Sequence, residues 1–230
     1  MLRTGMIAVL LAAAFLAGCG GGTKSGDAQL SRSATEARKA ELLTTIGGRY
    51  ENPEAHYELG KIYHQEGLVD RAEFHYNVAM GFDPTHRRAQ AAMVRLLKDR
   101  RETQRSQIAA DMYIKQASTN ADSLMALGRG FQREGLDDHA LRSYQEAQSL
   151  APNEASIHKQ LGYYYLRKGD RTRAEGYLRR SFEIDPNQPD VASELGRMGV
   201  RVQVPPRKAT GLLGPIRDAV SSEPADPTIK

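Results

Sequence analysis

The feature that most constrains the fold of this chain is a repeat of 34 residues. Units of this length start at Pro53, Arg87, Ala121, Ala155 and Pro189, and the first, third and fourth place the same residue types at the same offsets. The first unit contains Leu59-Gly60, Tyr63, Gly67, Ala72, Tyr76, Ala79 and Pro84. The third contains Leu127-Gly128, Phe131, Gly135, Ala140, Tyr144, Ala147 and Pro152. The fourth contains Leu161-Gly162, Tyr165, Gly169, Ala174, Leu178, Ser181 and Pro186. A fixed period without gaps indicates stacked copies of one unit that cannot bury its apolar face alone.

The conserved offsets predict two antiparallel helices in each unit. Leu, Gly and the aromatic residue recur at spacings of three to four, so they form one stripe on the first helix. A glycine such as Gly60 lets the second helix approach closely, and Ala72 is its small partner on that helix. Gly67 falls where the first helix should end, and Pro84 stops the second helix.

This pattern resembles the tetratricopeptide repeat over roughly residues 53–199. The resemblance implies an all-α fold, a superhelix (α-solenoid) of antiparallel helix pairs that binds partners in a concave groove. The predicted units are 53–86, 87–120, 121–154 and 155–188, followed by a capping helix at 189–199. The unit 87–120 departs from the pattern at Val94, Arg101, Ser106 and Ser118. We interpret it as a degenerate repeat with a straighter or shifted helix pair, and a non-repeat helical insert of equal length is the alternative.

The segments that flank the array have different compositions. Residues 1–18 combine one positive charge with a short apolar run, which is typical of an export signal. They end in Leu16-Ala17-Gly18-Cys19, which resembles the lipobox of bacterial lipoproteins. That resemblance implies a diacylglycerol lipid on Cys19 and a membrane-anchored exported protein, and Gly20 resembles members sorted to the outer membrane of diderm bacteria, facing the periplasm. A chance match after an ordinary cleaved signal is the alternative.

Between the lipobox and the array, residues 19–33 are predicted to be a flexible tether and residues 34–48 an N-terminal capping helix. After the array, residues 200–230 are predicted to be a Pro-rich irregular tail.

No motif for catalysis, a metal or a cofactor other than the acyl lipid is present. Cys19 is the only cysteine, and the six histidines are scattered. The net charge of +4 is mild, so nucleic acid is not an expected partner. We therefore expect an interaction scaffold or adaptor of the cell envelope, not an enzyme. Lipoproteins of this layout include pilotins, outer-membrane assembly components and protease adaptors, and no residue selects among them.

One helix face recurs as a basic stripe, with Lys61, Arg95, Arg129, Tyr163 and Arg197 at one offset of successive units. In tetratricopeptide arrays this face lines the groove. The predicted partner-binding residues are Tyr57, Lys61, His64, Arg88, Arg95, Lys98, Arg129, Arg133, Lys159, Tyr163, Arg167 and Arg197. A basic groove favours acidic peptide segments of a protein partner, and an anionic glycan or surface polymer is the alternative ligand. Alternatively, these cations are simply good helix formers on a solvated face.

Overall fold

Every regular element in the computed structural model, which describes residues 24–203, is an α-helix. The helices of this range are α1 Lys24–Gly48, α2 Pro53–Gln65, α3 Val69–Phe82, α4 Arg87–Asp99, α5 Thr103–Ala117, α6 Ala121–Arg133, α7 Asp137–Leu150, α8 Ala155–Arg167, α9 Arg171–Ile184 and α10 Pro189–Arg197. No strand occurs among these residues, so the predicted all-α class of helix pairs is confirmed. The predicted signal segment, Cys19 and residues 204–230 of the predicted tail lie outside the described range.

The chain divides into two compact units within α5, between Ala109 and Ala110. In the N-terminal unit, α2 and α3 pack along their whole length and α4 packs on α3. Its core contains fully buried Leu59 and Leu96, the Tyr76 ring, and Leu42 and Ile46 from α1. The apolar residues of α1 are therefore part of the same core as the first repeat.

The C-terminal unit consists of two helix pairs, α6–α7 and α8–α9, with α10 packed against α9. Phe131 and Tyr144 are fully buried within the first pair. Leu178 of α9 and Leu195 of α10 are fully buried in a second cluster, which Val200 closes after the last helix. The aromatic and leucine residues of the repeat pattern thus form the contacts inside each helix pair.

The turn between the paired helices has the same geometry in every repeat. Gly67, Gly135 and Gly169 adopt positive φ angles of 69–76°. The next residue donates its backbone N–H to the carbonyl five residues earlier, at 2.8–3.0 Å, which satisfies a carbonyl at the helix end. Because L side chains clash in this left-handed conformation, glycine is preferred here.

The second repeat makes the same turn without glycine. Arg101 adopts a φ of 62°, and the N–H of Glu102 donates to the carbonyl of Leu97 at 2.9 Å. The helices α4 and α5 begin 34 residues after α2 and α3. Ser106 donates its hydroxyl proton to the carbonyl of Val94 at 2.9 Å, so a small polar residue joins the helices where other repeats use glycine and alanine. The helix bounds and the turn of the second repeat therefore follow the repeat period, while the straighter or shifted packing of its two helices stays a prediction.

Two predicted boundaries differ from the structure. The first helix begins at Lys24, so residues 24–33, for which the sequence predicts a flexible tether, are helical. This segment contains no proline, and residues such as Ala28 and Arg32 favour helix strongly enough to continue it. At the other end, α10 stops at Arg197, before the predicted limit of residue 199, because Gly199 turns the chain with a φ of 83°.

Candidate functional site

The predicted groove residues of the N-terminal unit are mostly neutralised by carboxylates. Arg88 pairs with Glu54 and lies 3.6 Å from Glu58, which also lies 3.6 Å from Lys61. On α4, Asp99 lies 2.8 Å from Arg95. Asp99 also lies 3.2 Å from the His64 ring, and Lys98 is exposed without an ion pair to another described residue. Because acidic and basic side chains alternate along α2 and α4, this unit does not present the uniformly basic surface that the sequence predicted.

Tyr57 is not available to a partner. Its side chain is 4% exposed, its ring lies 5.1 Å from that of His86, and the Arg88 guanidinium covers it at 4.9 Å. His86 is fixed in turn as the N-cap of α4, where its Nδ1 accepts from the N–H of Ala89 at 3.1 Å. The prediction that Tyr57 lines a groove was therefore wrong, because this position of α2 packs against the start of α4.

Three predicted residues of the C-terminal unit are engaged with carboxylates of α10. Lys159 lies 2.5 Å from Asp190, and the Tyr163 hydroxyl donates to the same carboxylate at 3.4 Å. Burial, reinforced by Asp190, raises the pKa of Tyr163 to about 12, so this phenol stays protonated. Arg197 pairs with Glu194 at 2.6 Å. The contacts of Lys159 and Tyr163 tie α8 to α10, and together with the Glu194 pair they neutralise these cations.

Arg197 also lines a pocket of about 300 Å³ between the C-terminal ends of α8 and α10. Its apolar wall is formed by Leu166 and Met198, and its polar rim by Arg171, Glu194 and Arg197. Arg171 donates to the carbonyl of Arg197 at 3.2 Å, so one rim residue braces the end of α10.

Arg129, Arg133 and Arg167, here called the arginine cluster, are exposed and make no ion pair with any residue of the described range. The first two lie on α6 and the third on α8. Burial raises the pKa of the Tyr144 phenol to about 12, and the positive charges of all three arginines oppose that shift. The cluster is therefore a local concentration of unneutralised positive charge.

Two glutamines connect the arginine cluster to the core. The Gln132 amide lies 2.7 Å from the Tyr144 hydroxyl and 2.9 Å from Nε2 of Gln160 on α8. With its oxygen toward Arg167, this amide accepts from the guanidinium at 2.7 Å and donates to the Tyr144 hydroxyl. The buried phenol thus holds Gln132, and Gln132 positions Arg167. Sequence reasoning missed the roles of Gln160 and Tyr144, since the repeat pattern treats Tyr144 only as a packing residue.

The geometry of the arginine cluster suits carboxylates. Each guanidinium can donate two parallel N–H bonds to one carboxylate, so three of them on neighbouring helices can grip an acidic segment at several points. Within residues 24–203, no group of three or more His, Cys, Asp or Glu side chains is arranged to hold a metal ion. In the same range, no helix is long and apolar enough to cross a membrane.

Comparison with protein families identifies the repeats. The family model of the tetratricopeptide repeat matches residues 53–86 and 155–188, which are the first and fourth predicted units. These two segments are tetratricopeptide repeats. Repeats of this kind stack to form extended surfaces for binding other proteins.

Several known proteins are similar to the chain. The type IV pilus assembly protein PilF of Pseudomonas aeruginosa is 26% identical over 155 residues, which are 66% of this chain and 62% of PilF. The chain thus spans less than two thirds of that relative. The solved structure of Pseudomonas aeruginosa PilF is 25% identical, with a TM-score of 0.38 over 66% of this chain and 71% of that one. MamA from Desulfovibrio magneticus RS-1 is 20% identical, with a TM-score of 0.38 over 71% and 93% of the two chains.

Proposed function

We propose that this protein is a non-enzymatic interaction scaffold, anchored by lipid in the bacterial cell envelope, whose arginine cluster binds an acidic segment of a protein partner. The observation that carries the binding site is the lack of ion-pair partners for Arg129, Arg133 and Arg167, while most other cations of the predicted groove are neutralised. A tetratricopeptide array supplies the rigid scaffold for such a surface.

The net charge around the arginine cluster depends on the residue at the repeat position that Asp99 and Arg133 share. Arg95 of the second repeat is neutralised by Asp99 at i+4 on the same helix. The same two positions of the third repeat hold Arg129 and Arg133, so two like charges stand one turn apart. Like charges at this spacing destabilise a helix by a few tenths of a kcal/mol. A bound carboxylate would relieve that repulsion, which supports an acidic ligand.

The binding proposal is tested with a fluorescein-labelled decapeptide of glutamate and alanine, titrated into the full chain at ~0.15 M salt. At this ionic strength the Debye length is about 8 Å, so only close contacts persist. Exposed ion pairs contribute about 0.2–1 kcal/mol each. We therefore expect the triple variant Arg129→Gln, Arg133→Gln, Arg167→Gln to weaken binding about tenfold.

The matched control removes the same charge from the other helix of the pairs. Arg142, Arg179 and Arg180 lie on α7 and α9, are exposed, and are each already paired with a carboxylate. Their triple glutamine variant should keep most of the affinity. Equal losses in the two triple variants would mean nonspecific charge attraction and would refute the site.

A single substitution gives a sharper test. Arg133→Asp copies the Arg95–Asp99 arrangement of the second repeat onto the third, so it should neutralise Arg129 without disturbing the fold. Binding of the peptide should fall, while the melting temperature stays the same or rises slightly. An alginate oligomer titrated in parallel separates an anionic glycan from an acidic peptide: binding of the glycan alone would contradict the proposed protein partner.

The membrane anchor rests on the Leu16–Cys19 lipobox resemblance and is tested separately. Two acyl chains on Cys19 would suffice for stable anchoring, where one chain would not. Cys19→Ser should block incorporation of a palmitate analogue and leave an uncleaved precursor. Label that persists in this variant would rule out Cys19 as the lipid site. With Gly20 after the cysteine, we expect fractionation with the outer membrane if the source has one.

A further inference from the structure

Two histidines of the first repeat are hydrogen-bonded directly to each other. His56 on α2 is fully buried, and its Nδ1 lies 2.9 Å from the Nδ1 of His75 on α3. The other nitrogen of His56, Nε2, lies 3.0 Å from the backbone carbonyl of Tyr50. A carbonyl can only accept, so Nε2 of His56 carries the proton. Its Nδ1 is then the acceptor in the neutral ring, and the Nδ1 of His75 is the donor.

Only one proton can lie between the two Nδ1 atoms while the hydrogen bond is intact. A proton added to Nδ1 of His56 would set two N–H groups against each other at 2.9 Å and break the bond. A proton added to Nε2 of His75 keeps the hydrogen bond but places a charge beside a buried neutral ring. Either event makes the folded arrangement less favourable, because His56 is fully buried and His75 is half-buried, and a charge withdrawn from water without a partner is costly.

The charged groups nearest the pair in the described structure are two cations, and one of them, Lys39, is itself paired with Glu36 and Glu66. Tyr63 of α2 stacks on His75 with ring centroids 5.4 Å apart, and its ring is covered by Arg71 of α3 at 5.6 Å and Lys39 of α1 at 5.9 Å. Neither histidine forms an ion pair with a carboxylate in the described part of the chain. Burial lowers the pKa of His75 to about 4, with His56 adding to the effect. Burial also lowers the pKa of His56, against the contribution of the Tyr50 carbonyl.

The pair holds the connection between α1 and α2 in place. Tyr50 lies in that connection, and its ring packs edge-on against His56 at 4.9 Å and against Phe82 of α3 at 5.8 Å. Tyr50 is 52% exposed, and its carbonyl accepts from His56 and from the backbone N–H of Asn52 at 2.8 Å, so the His56 bond is the one that joins this carbonyl to a buried side chain. Loss of the His56–His75 bond would let the His56 ring turn and release Tyr50.

We propose that the His56–His75 hydrogen bond is a pH-sensitive latch, which keeps the α1–α2 connection closed on the first repeat at neutral pH and opens it in mild acid. The sign follows from linkage: the open state, whose histidines titrate near ~6.5, binds more protons than the closed state between about pH 4 and 6.5. The closed state is therefore favoured above about pH 6.5 and loses that advantage as the pH falls towards 4.

The fourth repeat provides a natural comparison. His158 stands 102 residues after His56 and makes the same bond, from Nε2 to the carbonyl of Pro152 at 2.8 Å. Tyr177 replaces the second histidine there, and Nδ1 of His158 is buried without a hydrogen-bond partner in the structure as described. The histidine pair thus belongs to the first repeat. The variant His75→Tyr places in the first repeat the residue that the fourth repeat has at the equivalent position.

Hydrogen exchange of the full chain, followed by mass spectrometry at pH 7.5 and 5.0, tests the latch. Rates are corrected for intrinsic pH dependence with unstructured reference peptides. In the unmodified chain, the opening constant of segment 45–55 should rise at pH 5.0 on the order of tenfold, and that of segment 147–157 should not. In the His75→Tyr variant, segment 45–55 should exchange equally at both pH values.

An unchanged opening constant in the unmodified chain would overturn the proposal, and so would an equal acid response in the His75→Tyr variant. If circular dichroism indicates that this variant does not fold, the comparison of segments 45–55 and 147–157 within the unmodified chain decides. An equal acid response of the two segments would then refute a latch specific to the first repeat. The acidic peptide used for the arginine cluster is not part of this measurement, so the two proposals fail independently.

Discussion

A methyl group added at Gly128 would overlap the ring of Tyr144. An ideal Cβ at Gly128 lies 2.5 Å from Cε1 and 2.7 Å from Cδ1 of that ring, whereas carbon atoms in contact normally lie about 3.5–4.0 Å apart. Tyr144 is fully buried and its hydroxyl is bonded to Gln132, so the ring has no free space to move into. Such overpacking costs about 1–3 kcal/mol, and the better helix propensity of alanine returns about 1 kcal/mol. We expect Gly128→Ala to lower the free energy of unfolding by up to about 2 kcal/mol.

The same substitution at Gly176 should have the opposite sign. Gly176 lies within α9, and an added Cβ would meet no atom within 4 Å. Only the propensity gain remains, so Gly176→Ala should raise the free energy of unfolding by about 0.5–1 kcal/mol. Both sites belong to the C-terminal unit, so urea unfolding followed by circular dichroism reports on the same transition. In a Tyr144→Ala background, the cost of Gly128→Ala should disappear. A stabilising Gly128→Ala, or one that stays costly in that background, would refute the close-approach argument.

Three further predictions use the turns and caps. Arg101→Gly should stabilise the chain by about 0.5–1 kcal/mol in urea unfolding. The left-handed backbone at this position costs an L residue about 1–2 kcal/mol, and glycine adopts it without that cost. An unchanged free energy of unfolding would mean that Arg101 is not strained. Asp170 caps α9, and the N–H of Arg173, followed by its guanidinium, lowers the pKa of that carboxyl. The ionised carboxylate should stabilise the fold above about pH 4, and this stabilisation should be lost below it. The melting temperature of Asp170→Asn should therefore fall less steeply with acid than that of the unmodified chain. An equally steep fall would contradict this. Tyr144→Phe should lower the free energy of unfolding in urea by about 1 kcal/mol. It should also lower the affinity for the acidic peptide, because Gln132 loses its hydrogen bond to the Tyr144 hydroxyl. Unchanged affinity would show that this hydroxyl does not position the site.

The fold was predictable from the sequence because its determinants are local and periodic. Within one unit, Leu59 belongs to the packing stripe, Gly60 allows the close approach of the two helices and Gly67 forms the turn. The same residue types recur at these positions in later units. The helix bounds of the second repeat followed the same period despite its changed residues, since Arg101 can occupy the left-handed turn at a modest cost. The start of α1 was missed because Ser25, Gly26 and Asp27, residue types that are typical of loops, lie within its first turn.

The candidate site was less predictable because charge at a surface depends on pairs of residues. Arg88 is a cation at a predicted groove position, yet Glu54, the equivalent residue of the preceding repeat, neutralises it. Writing the repeats one below the other would have exposed this pair, since equivalent positions of successive first helices are neighbours. Tyr57 was misplaced for a related reason: its burial is decided by His86 and Arg88 of the next repeat, and the helical periodicity of α2 alone does not include them.

The thirteenth position of the repeat therefore sets the local surface charge at the end of each first helix. It holds Gln65, Asp99, Arg133 and Arg167 in the first four units, on helices that begin and end at equivalent residues. None of these changes alters the core, because the position faces solvent. The aspartate of the second unit closes an ion pair with the preceding turn, whereas Arg133 of the third unit stands one turn from a second cation, Arg129. Repeat proteins can separate stability from recognition in this way, since the packing stripe and the binding stripe lie on different faces of one helix and can change independently.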